Sequence, residues 1–236
     1  MKKNLILLLI VTMLTICVGC STKKEGSSPL LYFEQPIVTT CSNDSNFNLQ
    51  IRFLTNDMNF KVSNYQVNSS NKEVMVKDSK FSYSENEDDT LIINFNINLT
   101  VPTGKSNFDL KFNVNDKEYI LKDITHINYN NNFNFDGVSQ ILHSPYCPEN
   151  GSIEEYINEI ELKNFDISNA DFFILGEEIN SVDKISSNEV HITSTNNKPA
   201  IVGYACTVNG KTYCIGNSYH TENLNMDKIN SLKNNT

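Results

Sequence analysis

LIINFNINLTV, residues 91 to 101, sets Leu91, Ile93, Phe95, Ile97, Leu99 and Val101 on one side of an extended chain and Asn94, Asn96, Asn98 and Thr100 on the other. Apolar side chains at every second place fit a period of two, so the stretch is a long strand with one buried face. The same alternation recurs at Phe47, Leu49, Ile51 and Phe53, and again at Phe108, Leu110, Phe112 and Val114. A two-residue turn at Asn115-Asp116 would set Val114 opposite Lys117, Phe112 opposite Tyr119 and Leu110 opposite Leu121. That register gathers apolar side chains on one face of a hairpin. Shorter strands are expected at Pro36 to Cys41, Phe60 to Val67 and Val74 to Val76. Short alternating strands without helical periodicity between them describe an antiparallel sandwich, placed at residues 30–125.

The segment 126–136 is rich in Asn and carries Tyr129, Phe133 and Phe135, and it is read as a connector that packs its aromatics against a neighbouring domain. A second sandwich follows at 137–218 and a tail at 219–236. Val138 to Leu142 fits a strand. Ser152 followed by Glu155 fits a capping box for a short helix through about Ile160, and the alternative is a strand at Ile160 to Phe165. The expectation is therefore an all-β protein of two immunoglobulin-like antiparallel β-sandwich domains in tandem, with at most a short helix near 152–160.

From Ile160 onward the order of features resembles the IPT/TIG type of immunoglobulin-like module. The residues that carry the resemblance are Leu162-Lys163-Asn164-Phe165, Ala170 through Gly176, Val190-His191-Ile192-Thr193, and a hairpin from Ile201 to Ile215 around Asn209-Gly210. Lys163 stands close to the place where that family carries a glycine. The resemblance implies a spacer or binding platform and lends nothing to catalysis.

The first twenty residues carry an address. Lys2 and Lys3 precede an apolar run from Leu5 to Val18, about fourteen residues and too short to span a bilayer as a permanent helix. The run reads as a signal peptide, residues 1–19, and ends in Cys17-Val18-Gly19-Cys20, which resembles the lipobox of bacterial lipoproteins. Cys17 occupies a place usually given to an aliphatic residue. The resemblance implies cleavage before Cys20, acylation of Cys20, and attachment at the outer face of the cell membrane. Two or more acyl chains bury enough methylene groups to hold a protein there stably. Residues 20–29, polar and small, are expected to form a lipidated flexible tether of about 15 Å.

The chain carries 19 Lys and Arg against 28 Asp and Glu, a formal charge of −9. Loss of residues 1–19 removes two lysines and no acid, leaving −11. A phosphate backbone demands clustered basic residues, so nucleic acid is excluded as a partner. The expected partners are the membrane through its lipid anchor and a protein or envelope polymer. Asn makes up about 15% of the chain, which favours turns and strand ends and also fits a codon bias written into surface positions.

After processing, Cys41, Cys147, Cys206 and Cys214 remain, an even number in an exported chain, and three complete pairings are open. Closeness in sequence favours Cys206 with Cys214. A two-residue turn at Asn209-Gly210 opposes that pair, since it sets Cys206 opposite Tyr213 and turns Cys214 to the other face. Zinc is disfavoured because no close Cys or His pairs occur. A cysteine nucleophile would need a base from among His126, His143, His191 and His220, and no local signature supports one. Glu85, Glu87, Asp88 and Asp89 form the densest set of hard oxygen ligands; the segment reads first as a solvated acidic loop, since EF-hand spacing is missing, and only secondarily as a Ca²⁺ candidate. No phosphate loop, nucleophile elbow or zinc-protease motif is present, and no cofactor is expected. The absence of Trp counts against sugar stacking. Function thus reads as a non-enzymatic binding or spacer module at the cell surface. The alternatives are an enzyme or accessory acting on envelope polymers, or a ligand- or Ca²⁺-responsive sensor.

Overall fold

In the computed structural model, residues 31–220 are described apart from 34, 87, 132–137, 147–154, 163–164 and 196–199, together with 227 and 230. The signal peptide, Cys20, the tether, Cys147, the expected cap at Ser152 and most of the tail lie outside the described residues.

Fifteen strands follow one another in the described chain. The first eight are β1 (Leu31–Phe33), β2 (Ile37–Ser42), β3 (Asn46–Thr55), β4 (Tyr65–Ser69), β5 (Met75–Glu85), β6 (Leu91–Thr100), β7 (Gly104–Val114) and β8 (Lys117–Asn128). The remaining seven are β9 (Val138–Tyr146), β10 (Glu155–Leu162), β11 (Asp171–Ile174), β12 (Glu178–Lys184), β13 (Glu189–Thr195), β14 (Ala200–Val208) and β15 (Lys211–His220). The all-β reading holds. The expected helix near 152–160 is replaced by β10, which is paired on both sides, by β13 and by β9. Propensity for a first helical turn yields there to two ladders of backbone hydrogen bonds. Two strands run past the limits expected for the sandwiches: β8 reaches Asn128 and β15 reaches His220.

Alternation along β6 places Ile93, Phe95 and Ile97 wholly out of solvent, facing Ile51, Phe53 and Leu49 of the neighbouring strand. Opposite them lie Leu110, Phe112, Leu121 and Ile124 from β7 and β8. Phe53, Phe95, Phe112 and Tyr119 meet mostly edge to face, with centroids 5.2–5.9 Å apart, the geometry the ring quadrupoles prefer. The β7–β8 hairpin has the expected register, with Val114, Phe112 and Leu110 opposite Lys117, Tyr119 and Leu121. Both turn residues, Asn115 (φ 47°) and Asp116 (φ 66°), occupy the left-handed region that such a turn needs. The Asn115 side chain goes further and fastens the preceding loop, donating to Lys61 O at 2.9 Å and accepting from Ser63 N at 2.8 Å.

The second core is smaller and holds a polar strut. Ile160, Leu162, Val190 and Ile192 face Phe172, Val202, Tyr204 and Cys206. Through them the Tyr204 hydroxyl donates to Asn158 Oδ1 at 2.6 Å, and Asn158 Nδ2 donates to Ile192 O and Ser194 Oγ at 3.1 Å each. Buried polar groups partnered in this way avoid the cost of a lost hydrogen bond.

The two sandwiches share a sheet. One four-stranded sheet, β1-β3-β6-β5, covers the first core, and another, β12-β13-β10-β9, covers the second. Both lie against a single seven-stranded sheet of order β11-β14-β2-β8-β7-β4, with β15 also paired to β14. The joint is β2, and its two ladders are parallel, Ile37–Thr39 with Ala200–Val202 and Thr39–Ser42 with Thr125–Asn128. These depart from the antiparallel expectation, because a period of two identifies a strand and its buried face and says nothing of its partner's direction.

Candidate functional site

Strand β2, six residues long, positions the site. Its first half lies on β14, which gives residues 204–207 of the same edge to β11. Between them sits Gly203, where an added Cβ would lie 2.9 Å from Cys41 N and 3.0 Å from Cys41 Sγ. Only a residue without a side chain lets the two strands approach that closely.

Cys41 at the end of β2 is joined to Cys214 of β15 by a disulfide, Cα to Cα 5.6 Å, across 173 residues of sequence. The neighbouring pair Cys206 and Cys214 does not form. Cys206 lies opposite Tyr213, as the Asn209-Gly210 turn requires, and points into the second core, while Cys214 faces Cys41 on the other side of the sheet. Cys206 is a buried free thiol, and burial pushes its pKa up to about 12. A thiol held neutral at pH 7 is a poor nucleophile.

Two asparagines lock the bonded cysteines in place. Asn217 Oδ1 accepts from Cys41 N and its Nδ2 donates to Cys41 O, both at 2.9 Å. Asn43 does the same for Cys214, with both bonds at 2.7 Å. Each planar amide thus substitutes for a neighbouring strand's peptide group. The start of the connector continues the seam, since Tyr129 N donates to Ser42 O at 2.9 Å and Asn131 N to Asn43 O at 2.8 Å. Tyr129 packs with Phe173 and Leu175 around Cys41, Ala205 and Cys214. Arg52 of β3 adds a contact from the facing sheet, its guanidinium 4.7 Å from the Tyr219 ring centroid.

Beside this seam lies His126 of β8, fully buried, its ring centroid 4.2 Å from that of Phe47. Its Nδ1 is 3.0 Å from Thr40 Oγ1 and its Nε2 2.9 Å from Ser42 Oγ. A serine at that distance from an imidazole has the spacing of a nucleophile and its base. The protons, however, run the wrong way for general-base chemistry. Ser42 donates its hydroxyl proton to Asp44 O at 2.6 Å, so Nε2 donates to Ser42 and Nδ1 accepts from Thr40. Burial also lowers the His126 pKa to about 4, which leaves a neutral, feeble base.

That shift ties stability to pH. The folded pKa lies below the unfolded value of 6.5, so the associated stability is complete above pH 6.5 and is lost as pH falls through 4. From pH 7 to pH 5 the loss is expected to be about 2 kcal/mol. Urea unfolding at the two pH values should show this difference in wild type and lose most of it in His126→Gln; equal pH slopes in the two proteins would contradict the assignment.

Next to the seam an open cleft of about 500 Å³ is lined by Cys41, Ser42, Asn43, Asp44, Asn46, Phe47, Asn48, Cys214, Ile215 and Asn217. A second compartment of about 500 Å³ shares Asn46, Phe47 and Asn48 with it and adds Lys77, Asp78, Asn98 and Leu99. On the outer face of the sheet, Asn48 Nδ2 donates to Asn98 Oδ1 at 2.6 Å and Asn98 Nδ2 donates to Asp78 Oδ1 at 2.5 Å. The amides are therefore held in fixed orientations.

Of the residues singled out from the sequence, Cys41 and Cys214 come together and line this cleft. Glu85 ends β5, and Asp88 accepts from the Thr90 hydroxyl at 2.5 Å in the following turn, where Asp89 has φ 56°. Glu87 lies outside the described residues. Among the described residues no three His, Cys, Asp or Glu side chains gather as a metal site. His191 lies 3.2 Å from the Glu189 carboxylate on β13. The asparagines that lock and line the cleft were not singled out, because they are hidden among many others.

No protein-family model and no curated protein matches the chain. Among solved structures, surface layer protein SbsC, domains 4–9, aligns over 81% of this chain and 31% of its own, at 11% identity and a TM-score of 0.24. The tandem Ig repeats of Dlar align over 81% and 95% at 8% identity and a TM-score of 0.22. A marsupial T cell receptor aligns over 82% and 61% at 8% identity and a TM-score of 0.18. The chain spans about a third of the length of the SbsC fragment it matches.

Proposed function

We propose that the protein is a lipid-anchored module at the outer face of a bacterial membrane, serving there as a non-enzymatic binding or spacer unit. The observation that carries this reading is the Cys41–Cys214 disulfide across the joint. Disulfides form and persist in oxidising compartments, which agrees with the address read from Lys2, Lys3, the apolar run and Gly19-Cys20. A joint cross-linked and held by two amide locks suits a unit that must keep its shape on a tether. Catalysis gains no support from the groups at the cleft, since both lining cysteines are oxidised and His126 directs its proton toward Ser42.

Cellular fractionation with a clickable fatty acid tests the reading. Wild type should be labelled, reside in the membrane fraction and be open to protease added to intact cells. Cys20→Ala should be unlabelled and absent from the mature membrane-bound pool. An unlabelled wild-type protein with its leader intact in the cytosol would overturn the proposal.

A further inference from the structure

We infer that the two-compartment cleft beside the disulfide is a binding site for a neutral oligosaccharide. This deepens the reading of the chain as a surface module and rests on it. Each compartment, at about 500 Å³, has the volume of a small-molecule site, and the shared Asn46, Phe47 and Asn48 set the two side by side. A ligand that fills both is extended.

The chemistry of the lining selects the ligand class. Planar amides and carboxylates present a donor and an acceptor, or two acceptors, side by side, which matches pairs of adjacent hydroxyls. Asn48 has donated to Asn98, so its Oδ1 is left to accept; Asp78 accepts from Asn98 through Oδ1, so Oδ2 is left to accept. Asp44 accepts from Asn46 N at 2.6 Å, which fixes its carboxylate at the mouth. Phe47, Leu99 and Ile215 border the compartments but are almost wholly buried, so recognition rests on hydrogen bonds rather than on ring stacking. Because the amides are already tied into networks, little ordering cost is left for binding.

Charge narrows the class further. Asp44 and Asp78 outnumber Lys77, and the whole chain carries −9, so phosphorylated or carboxylated polymers are repelled. No cluster of cationic side chains lines either compartment. A neutral glycan meets no such penalty.

Isothermal titration of the full-length mature protein with cellotetraose, maltotetraose, mannotetraose and tetra-N-acetylchitotetraose tests the site. At least one is expected to bind, more tightly than its own monosaccharide. Asn48→Ala and the isosteric Asp78→Asn should each weaken binding about tenfold, the equivalent of one lost hydrogen bond to a sugar hydroxyl. Asn96→Ala, on the same sheet face and outside the cleft, should bind as wild type does. Both cleft positions are solvent-exposed strand residues, so the variants should fold, which melting curves would check. Binding of none of the four sugars, or equal binding by Asn48→Ala, Asp78→Asn and wild type, would overturn the site. If no sugar binds while Cys20 is acylated in the membrane, the glycan site fails and the anchored module stands.

Discussion

Replacing Cys41 and Cys214 together by alanine is expected to lower the unfolding free energy by about 4–5 kcal/mol. The bond closes a loop of 173 residues, and the loop entropy it removes from the unfolded chain grows with the logarithm of that length. Two local effects act in the same direction. Both sulfurs lie in a small buried cluster with Ala205, so alanine leaves space there. The amide locks also lose their register, because Asn217 and Asn43 hold peptide groups that the bond aligns. Once the bond is gone, the backbone ladder between β2 and β14 extends only over Ile37–Thr39, so urea unfolding should split into two transitions. A single transition of unchanged midpoint in the double variant would show that the cross-link is incidental to the joint.

Gly203→Val should be nearly as damaging, at about 3 kcal/mol or more, by a different route. The new Cβ would lie 2.9 Å from Cys41 N, 3.0 Å from Cys41 Sγ and 3.1 Å from Asn217 Oδ1. None of these atoms can retreat alone. The first belongs to the amide that Asn217 engages, the second to the disulfide and the third to the lock itself. Relief therefore requires β2 to leave β14. In a chain of this size the midpoint of thermal unfolding should drop by roughly 6–12 °C. Thiol titration of the folded variant should also find Cys41 and Cys214 partly reduced. A midpoint within 2 °C of wild type, roughly the effect of an ordinary surface change, would mean that the strands are not packed as described.

These effects concentrate at a joint that periodicity could not reveal. The hairpin at Asn115-Asp116 was legible in detail, because a two-residue turn and alternating apolar residues on both arms leave one register that keeps Leu110, Phe112, Tyr119 and Leu121 together. β6 was legible for the same reason. β5 was only partly so, from Val74 to Val76, although it runs from Met75 to Glu85. It is an edge strand with Phe81 and Val76 as its half-buried apolar residues, so most of its eleven positions carry no signal. β1, three residues long, carries less still.

The disulfide shows a different limit. Closeness in sequence pointed to Cys206 and Cys214, and the turn between them pointed away; the turn was the better guide, because facing is fixed by pleat and not by distance along the chain. The partner, Cys41, could not be read because it depends on a parallel ladder between strands from opposite halves. Asn43, Asn48, Asn98 and Asn217 were lost for a statistical reason. Where about 15% of residues are Asn, the few that lock the seam and line the cleft look like the rest until their partners are known.

Non-reducing peptide mapping of the protein taken from the cell envelope tests the fused joint most directly. One cross-linked pair of peptides, containing Cys41 and Cys214, is expected, with Cys206 recovered as a protected thiol that alkylates only after unfolding. A Cys206–Cys214 peptide, or Cys41 and Cys214 recovered reduced from native protein, would contradict it.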